Sequence, residues 1–207
     1  ATQQRLGSAI TFLRAAVQAC PEMSEAWHNL GAVLRQEHHM EESRAAYKAA
    51  LEGDLQPEMK VDCLAMMAGS YVNEGEPDEA IKWANKALKL DKDNAHARNH
   101  LALAQLEKGM WKRGFQNYES RWNLSVQKVH VRPFECPKWD GKPTQKLAIH
   151  GEQGLGDEII FMSCFKDVLE ANVGEVVIEC AERLIPLFRR SFSVPCYPDH
   201  DALIADH

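Results

Sequence analysis

Between residues 7 and 122 the apolar positions fall on the three-and-four spacing of amphipathic helices, and that pattern itself recurs. A small residue opens every second helix: Ala9, Ser43, Ala80 and Gly114, at steps of 34, 37 and 34 residues. Four positions further on stand Leu13, Tyr47, Ala84 and Tyr118, and three beyond those Ala16, Ala50, Ala87 and Arg121. The intervening helices register as Trp27-Leu30-Gly31, Leu64-Met67-Ala68 and Arg98-Leu101-Ala102. Small residues let paired helices approach, large ones fill the space beside them, and each hairpin leaves an apolar face that only a neighbour covers. The pattern predicts whole hairpins at 24–57, 61–94 and 95–122, the last shortened, after a half unit at 7–20. The longer step is assigned to an inter-repeat turn around Gln56-Pro57-Glu58, and Pro21 and Pro77 suit turns or first helical positions. A half unit at the start predicts that the sequence begins inside a longer array.

The period is lost over 123–145, where Pro133, Pro137 and Pro143 and an Asp140-Gly141 turn predict an extended connector, pinned by Phe134 and Trp139. A new pattern then starts. Lys146–His150 reads as a strand, Gly151–Asp157 as a glycine-rich turn, and Glu158–Ala171 as a helix with Ile159, Ile160, Met162, Phe165, Val168 and Leu169 as its apolar side. Gly174 is read as a break, Glu175–Cys180 as a second strand, Ala181–Phe192 as a second helix, and Pro195-Cys196-Tyr197 as the opening of a third strand. Strand, helix, strand, helix predicts a parallel sheet with right-handed crossovers. The fold class is therefore α + α/β: an α-solenoid over 1–122, a linker over 123–145, and the start of a Rossmann-like βαβα unit over 146–207.

Composition narrows the function classes. With 45% hydrophobic and 26% charged residues the chain has the balance of a packed domain, not of a disordered tail. Its net charge of -6, with no basic stripe, argues against nucleic acid as partner. No apolar run reaches the roughly 18 residues of a spanning helix, and no leader pattern opens the sequence, so a cytoplasmic location is expected. The six cysteines are scattered without a C-x-x-C pair, which predicts reduced thiols and neither a zinc ribbon nor a redox pair. His96 and His100 sit four apart on one helical face, as metal-binding pairs do, but no third ligand follows, and a solvated polar face is expected. His38-His39-Met40-Glu41-Glu42 has the wrong order for a metalloprotease signature and falls on a hairpin turn; no metal and no cofactor is predicted.

The repeat resembles the tetratricopeptide repeat, whose period is about 34. The best unit runs from Ser24-Glu25-Ala26-Trp27-His28-Asn29-Leu30-Gly31 to Tyr47-Lys48-Ala49-Ala50-Leu51, followed by Gly75-Glu76-Pro77-Asp78-Glu79-Ala80-Ile81 and Ala87-Leu88. The resemblance implies a concave groove, lined by the first helix of each hairpin, in which a peptide or protein partner lies. The matching positions are Glu25, His28, Asn29, Ala32, Arg35 and Gln36, then Asp62, Ala65, Met66, Gly69 and Asn73, then His96, Asn99, His100 and Leu103. Some relatives clamp a terminal carboxylate with Lys and Asn; their basic residues are not found at these positions. The Asn ladder of a sugar-transferring relative is not sustained at Asn29, Met66 and His100. A groove that binds peptide and a spacer that only positions the next domain both remain open.

The turn Gly151-Glu152-Gln153-Gly154-Leu155-Gly156-Asp157 lies where open α/β sheets bind ligands, yet it is neither a dinucleotide fingerprint nor a P-loop. Ligand contact at Glu152, Gln153, Gly154, Leu155 and Gly156 stands beside a plain tight turn that needs positive φ. Trp111-Lys112-Arg113-Gly114-Phe115, Tyr118–Trp122, Pro137-Lys138-Trp139-Asp140-Gly141 and His150–Asp157 occur in an order similar to that of bacterial tetratricopeptide proteins ending in a heptosyltransferase-like glycosyltransferase domain. That resemblance implies two Rossmann-like domains with a cleft between them, a nucleotide-sugar donor, and Asp157 as general base on an acceptor hydroxyl, with His150 and Glu152 as lesser acceptor contacts. The other reading of Asp157 is a carboxylate that stabilises the helix start. The family's donor site lies mainly in its second domain, so this chain alone is expected to be an inactive fragment, chiefly an interaction array. The alternatives are a scaffold with a structural or degenerate α/β part, and a small nucleotide-binding module on Gly154-Leu155-Gly156.

Overall fold

The computed structural model describes residues 2–124, 136–152, 154–171 and 173–206. The chain divides into two compact units, 1–127 and 128–207.

The first unit is a stack of antiparallel helices. These are α1 (Thr2–Ala19), α2 (Ser24–Gln36), α3 (Met40–Glu52), α4 (Pro57–Asn73), α5 (Pro77–Leu90), α6 (Ala95–Glu107) and α7 (Trp111–Tyr118), the last running into a 3-10 turn over Glu119–Asn123. The small positions do the work expected of them. Gly31 lies so close to Tyr47 that a Cβ there would meet the ring at 2.8 Å. Ser43, fully buried, donates its hydroxyl to the Gly31 carbonyl at 2.7 Å and so ties the first hairpin. Gly114 accommodates Leu106, whose Cδ2 would lie 2.6 Å from a Cβ. Successive hairpins are laced by ion pairs, Arg14 with Glu42, Arg44 with Glu74 and Lys108 with Asp78.

One expected boundary shifts in this unit. Pro57 and Glu58 are not part of a turn but open α4, because a proline at the first helical position needs no amide partner. The hairpin turns carry left-handed residues at His38 (φ 62°), Gly75 (φ 70°) and Gly109 (φ 71°). The histidine therefore occupies a backbone position that its neighbours fill with glycine.

The second unit holds β1 (Thr144–His150), α8 (Leu155–Phe161), α9 (Phe165–Glu170), β2 (Val173–Glu179), α10 (Ile185–Phe192), β3 (Cys196–Tyr197) and α11 (His200–Asp206). The three strands form a parallel sheet in the order β1-β2-β3, with Ile149 opposite Ile178 and Ile178 opposite Cys196. Its core is Met162, Phe165, Val176, Ile178, Leu184, Phe188 and Cys196.

Local chemistry shifts several boundaries. The single helix expected over 158–171 starts earlier, at Leu155, and is interrupted by a 3-10 turn at Met162–Cys164. There the Ser163 hydroxyl donates to the Ile160 carbonyl at 2.6 Å, competing with the helical ladder. Met162 and Phe165 turn into the core, whereas Ile159, Ile160 and Leu169, expected on the buried side, are exposed. The helix expected over 181–192 begins as a 3-10 turn at Glu182–Leu184 and becomes α-helical only at Ile185, beside Pro186. Gly174 is not a break but sits inside β2, where a Cβ would approach the Gln145 carbonyl oxygen to 2.3 Å. Phe134 lies outside the described residues. Trp139 is not buried against a core: its indole donates to the Lys142 carbonyl at 2.6 Å, closing the turn at Gly141 (φ 82°).

Candidate functional site

In the helical unit α2 packs on α4 and α4 on α6, while α3 and α5 make no comparable contact. The first helices of the hairpins are thus drawn together, and the array curves towards the row α2-α4-α6. On this inner row Asn29 and Asn73 are exposed, and His28, Arg35 and His96 are half-buried. Ala65, Met66 and Gly69, expected to line the groove, are buried, so α4 supplies the floor of the row and not its exposed edge. His28 bonds to the Asp62 carboxylate at 2.8 Å and its Nδ1 lies 3.3 Å from the side-chain amide oxygen of Asn29. The Asp62 bond is the main cause that raises the His28 pKa above its ordinary value, against the opposing effect of burial.

His100 does not lie on the solvated face expected of it. The His100 imidazole is enclosed against Gly69: a Cβ on Gly69 would lie 2.7 Å from its Cε1 and Nε2. Burial, with lesser contributions from His96 and Arg35, pushes the His100 pKa down to about 4, so the ring is neutral near pH 7. Its Nδ1 is buried without a hydrogen-bond partner. Three further buried polar atoms in this part of the array share that condition: Arg35 Nε, Asn99 Oδ1 and Tyr47 Oη. Burial raises the Tyr47 pKa, and the Arg35 charge opposes that rise. Tyr47 entered the sequence reading only as a spacing residue. Its polar end, facing Arg35, left no signal in the repeat pattern.

In the second unit the glycine-rich turn follows the C-terminal end of β1. Gly154 (φ -77°) caps α8, and Leu155, Gly156 and Asp157 form its first turn. None of the glycines at 151, 154 and 156 has positive φ, so the tight-turn account of them does not hold. Gly151 is demanded by contact instead, since a Cβ there would lie 2.7 Å from Glu158 Oε1. Glu158 in turn accepts the Ala181 amide at 3.0 Å, tying this turn to the end of β2. Beside Gly154 the nearest atom to a Cβ is Asp157 Oδ2 at 3.8 Å, and nothing lies within 4 Å at Gly156. Asp157 makes no side-chain cap bond, and its carboxylate has no hydrogen-bond or ion-pair partner among the described residues. Glu152 is half-buried and Leu155 partly exposed; Gln153 lies outside the described residues.

Among the described residues no group of three or more His, Cys, Asp or Glu is placed to hold a metal ion, and no helix is long and apolar enough to cross a membrane. His39 bonds to Glu42 at 3.2 Å. All six cysteines are free thiols, and burial pushes those of Cys63 and Cys180 up to about 12.

Comparison with known proteins agrees with the helical geometry. Residues 24–55 match the tetratricopeptide repeat family, and residues 70–109 match a TPR repeat model. The chain therefore carries tetratricopeptide repeats. Protein FlbA of Caulobacter vibrioides is 29% identical over 195 residues, covering 91% of this chain and 32% of that protein, so the chain spans about a third of this relative's length. The crystal structure of MamA superposes with a TM-score of 0.51 at 19% identity, over 57% of this chain and 67% of its own. The Pseudomonas aeruginosa protein pilF superposes with a TM-score of 0.51 at 13% identity, over 94% of this chain and 72% of its own. Both likenesses concern the fold.

Proposed function

We propose that the helical unit is a protein-interaction array whose inner row, α2-α4-α6, receives an extended peptide segment of a partner. The observation that carries this reading is the curvature of the tetratricopeptide stack towards a row bearing exposed or half-buried polar side chains, among them Asn29, Arg35, Asn73 and His96. An extended chain laid there exchanges main-chain and side-chain hydrogen bonds with fixed donors and acceptors, at low cost in ordering the receptor. The test is photo-crosslinking on the 207-residue chain, with a photoreactive residue at Asn29 on the inner row or at Lys48 on α3. The probe is a biotinylated pool of random dodecapeptides. Labelling from Asn29 well above that from Lys48 is expected; equal or reversed labelling overturns the reading.

A second reading concerns the 128–207 unit: in the complete protein it belongs to a Rossmann-like, two-domain sugar transferase that uses a nucleotide-sugar donor. Supporting it are the parallel strands, the open approach at Gly154 and Gly156, and the unpartnered Asp157 carboxylate beside them. A general base must lie within hydrogen-bond reach of the hydroxyl it deprotonates, and Asp157 has no internal bond to break first. Glu152, Gln153 and Leu155 flank the same approach and would contact donor or acceptor. Assay of the complete protein against a panel of nucleotide sugars tests this. Transfer that Asp157→Asn reduces by about a hundredfold or more supports it. Absence of transfer, or indifference to the substitution, leaves the scaffold reading alone.

A further inference from the structure

The small residues Ser43, Ala80 and Gly114 hold one register position near the start of α3, α5 and α7. On α3 the next residue is Arg44, which donates to Ser70 at 2.9 Å and pairs with Glu74, both in the following hairpin. On α5 the next residue is Ile81, which packs against the cluster that holds Leu101 of α6. Two places before the small residue of α5 stands Asp78, paired with Lys108 just past the end of α6. This face of a second helix therefore receives the first helix of the following hairpin. On α7 the same face is open. Phe115, in the place of Arg44 and Ile81, is 49% exposed, and Trp111, one helical turn before it, is 62% exposed. The charge of the face is also inverted. Glu41 and Glu42 open α3 and Asp78 and Glu79 open α5, whereas the corresponding places on α7 are Lys112 and Arg113. Carboxylates suit the positive start of a helix and cations oppose it, so these two do not serve the stability of α7. Both are exposed, and neither enters a hydrogen bond or ion pair among the described residues of a chain whose net charge is -6. Single exposed apolar side chains are ordinary; two aromatic rings one turn apart beside two unneutralised cations make a patch.

We propose that this face of α7 is a docking surface for an amphipathic helix of a partner protein, apolar along one side and acidic in its last turn. The helix takes on α7 the place that α4 takes on α3 and α6 takes on α5. Its apolar side covers Trp111 and Phe115. Its carboxylates lie beside Lys112 and Arg113, as Lys108 lies beside Asp78 but with the signs exchanged. The surface is on the second helix of its hairpin, apart from the inner row α2-α4-α6, so the proposal does not depend on the groove reading.

The test is selection against the 207-residue chain from helical peptides displayed on phage, built on an alanine and glutamine frame and randomised along one side and over the last turn. Recovered helices are synthesised with amidated C-termini, so that no terminal carboxylate contributes, and their affinities are measured by fluorescence anisotropy. Expected are an apolar side, Asp or Glu in the last turn, and about tenfold or greater loss of affinity on either Phe115→Ser or Lys112→Glu. Lysine in place of the acid in the last turn should restore binding to Lys112→Glu. Both positions are exposed, and Lys112→Glu should unfold at the same temperature or higher because it suits the helix start, so lost affinity is distinguished from lost folding. Helices that keep full affinity for both variants bind elsewhere and overturn the proposal. Selection without an acidic preference, or recovery of no helix, overturns it as well. Sedimentation of the chain alone, and with vesicles of phosphatidylserine and phosphatidylcholine, covers the other occupants. Self-association abolished by Phe115→Ser assigns the face to a second copy of the chain. Vesicle binding abolished by Lys112→Glu assigns it to an anionic lipid surface. Either result overturns the partner helix.

Discussion

The imidazole of His100 rests against Gly69, so close that a single added Cβ would come within 2.7 Å of two of its ring atoms. The pair joins α4 to α6 and holds a neutral histidine inside the array. A methyl group at Gly69 displaces the far end of one side chain, which can swing away. Gly69→Ala is therefore expected to release the ring and move the His100 pKa from about 4 back towards its ordinary value. An NMR titration of the His100 ring resonances in the two proteins checks this; an unchanged titration contradicts the contact.

The same geometry predicts a harsher result at Gly31. Its neighbour is the Tyr47 ring, fully buried and without space to yield. Gly31→Ala gains about 1 kcal/mol of helix propensity but overpacks the hairpin by about 1–3 kcal/mol. A net loss in urea denaturation is expected, recovered in part by the added change Tyr47→Leu. A stabilised single variant would contradict the packing described.

Two histidines impose opposite pH dependences. His100 has a folded pKa of about 4, below its unfolded value of about 6.5. Its contribution is therefore present above pH 6.5 and is lost as pH falls towards 4, an effect on the order of 3 kcal/mol at most. His28, raised by Asp62, contributes fully below pH 6.5 and loses its contribution as pH rises through its folded value. Urea midpoints from pH 4 to 8 are expected to lose their acid-side slope in His100→Gln and their alkaline-side slope in Asp62→Asn.

His38 adopts φ 62° at a hairpin turn where Gly75 and Gly109 hold the corresponding places. A residue with a Cβ in the left-handed region costs roughly 1 kcal/mol relative to glycine. His38→Gly is expected to raise stability by about 1 kcal/mol in urea denaturation, and a loss would mean that His38 makes a contact that outweighs its backbone.

The repeat register was legible because its determinants are local in sequence and repeated: Gly31 against Tyr47, and the small residues Ser43, Ala80 and Gly114, follow a fixed spacing. What decides His100 is not local. Its enclosure depends on the absence of a side chain at Gly69, one helix away, and a helical wheel of α6 alone places it beside His96 on an open face. The break in the helix after Phe161 was equally hidden, since it rests on a hydroxyl bond from Ser163 that the apolar pattern of Ile159, Ile160 and Met162 does not record. At Gly154 and Gly156 the sequence presented the right place after a strand, while the backbone angles that rule out a positive-φ turn became visible only in the fold.

The central claim is that the inner helices receive the partner. The most direct test is amide hydrogen exchange on the 207-residue chain, with and without a saturating dodecapeptide identified from the pool captured at Asn29. Slowed exchange confined to α2, α4 and α6 is the predicted result. Slowed exchange on α3 and α5 with the inner helices unchanged would contradict the account.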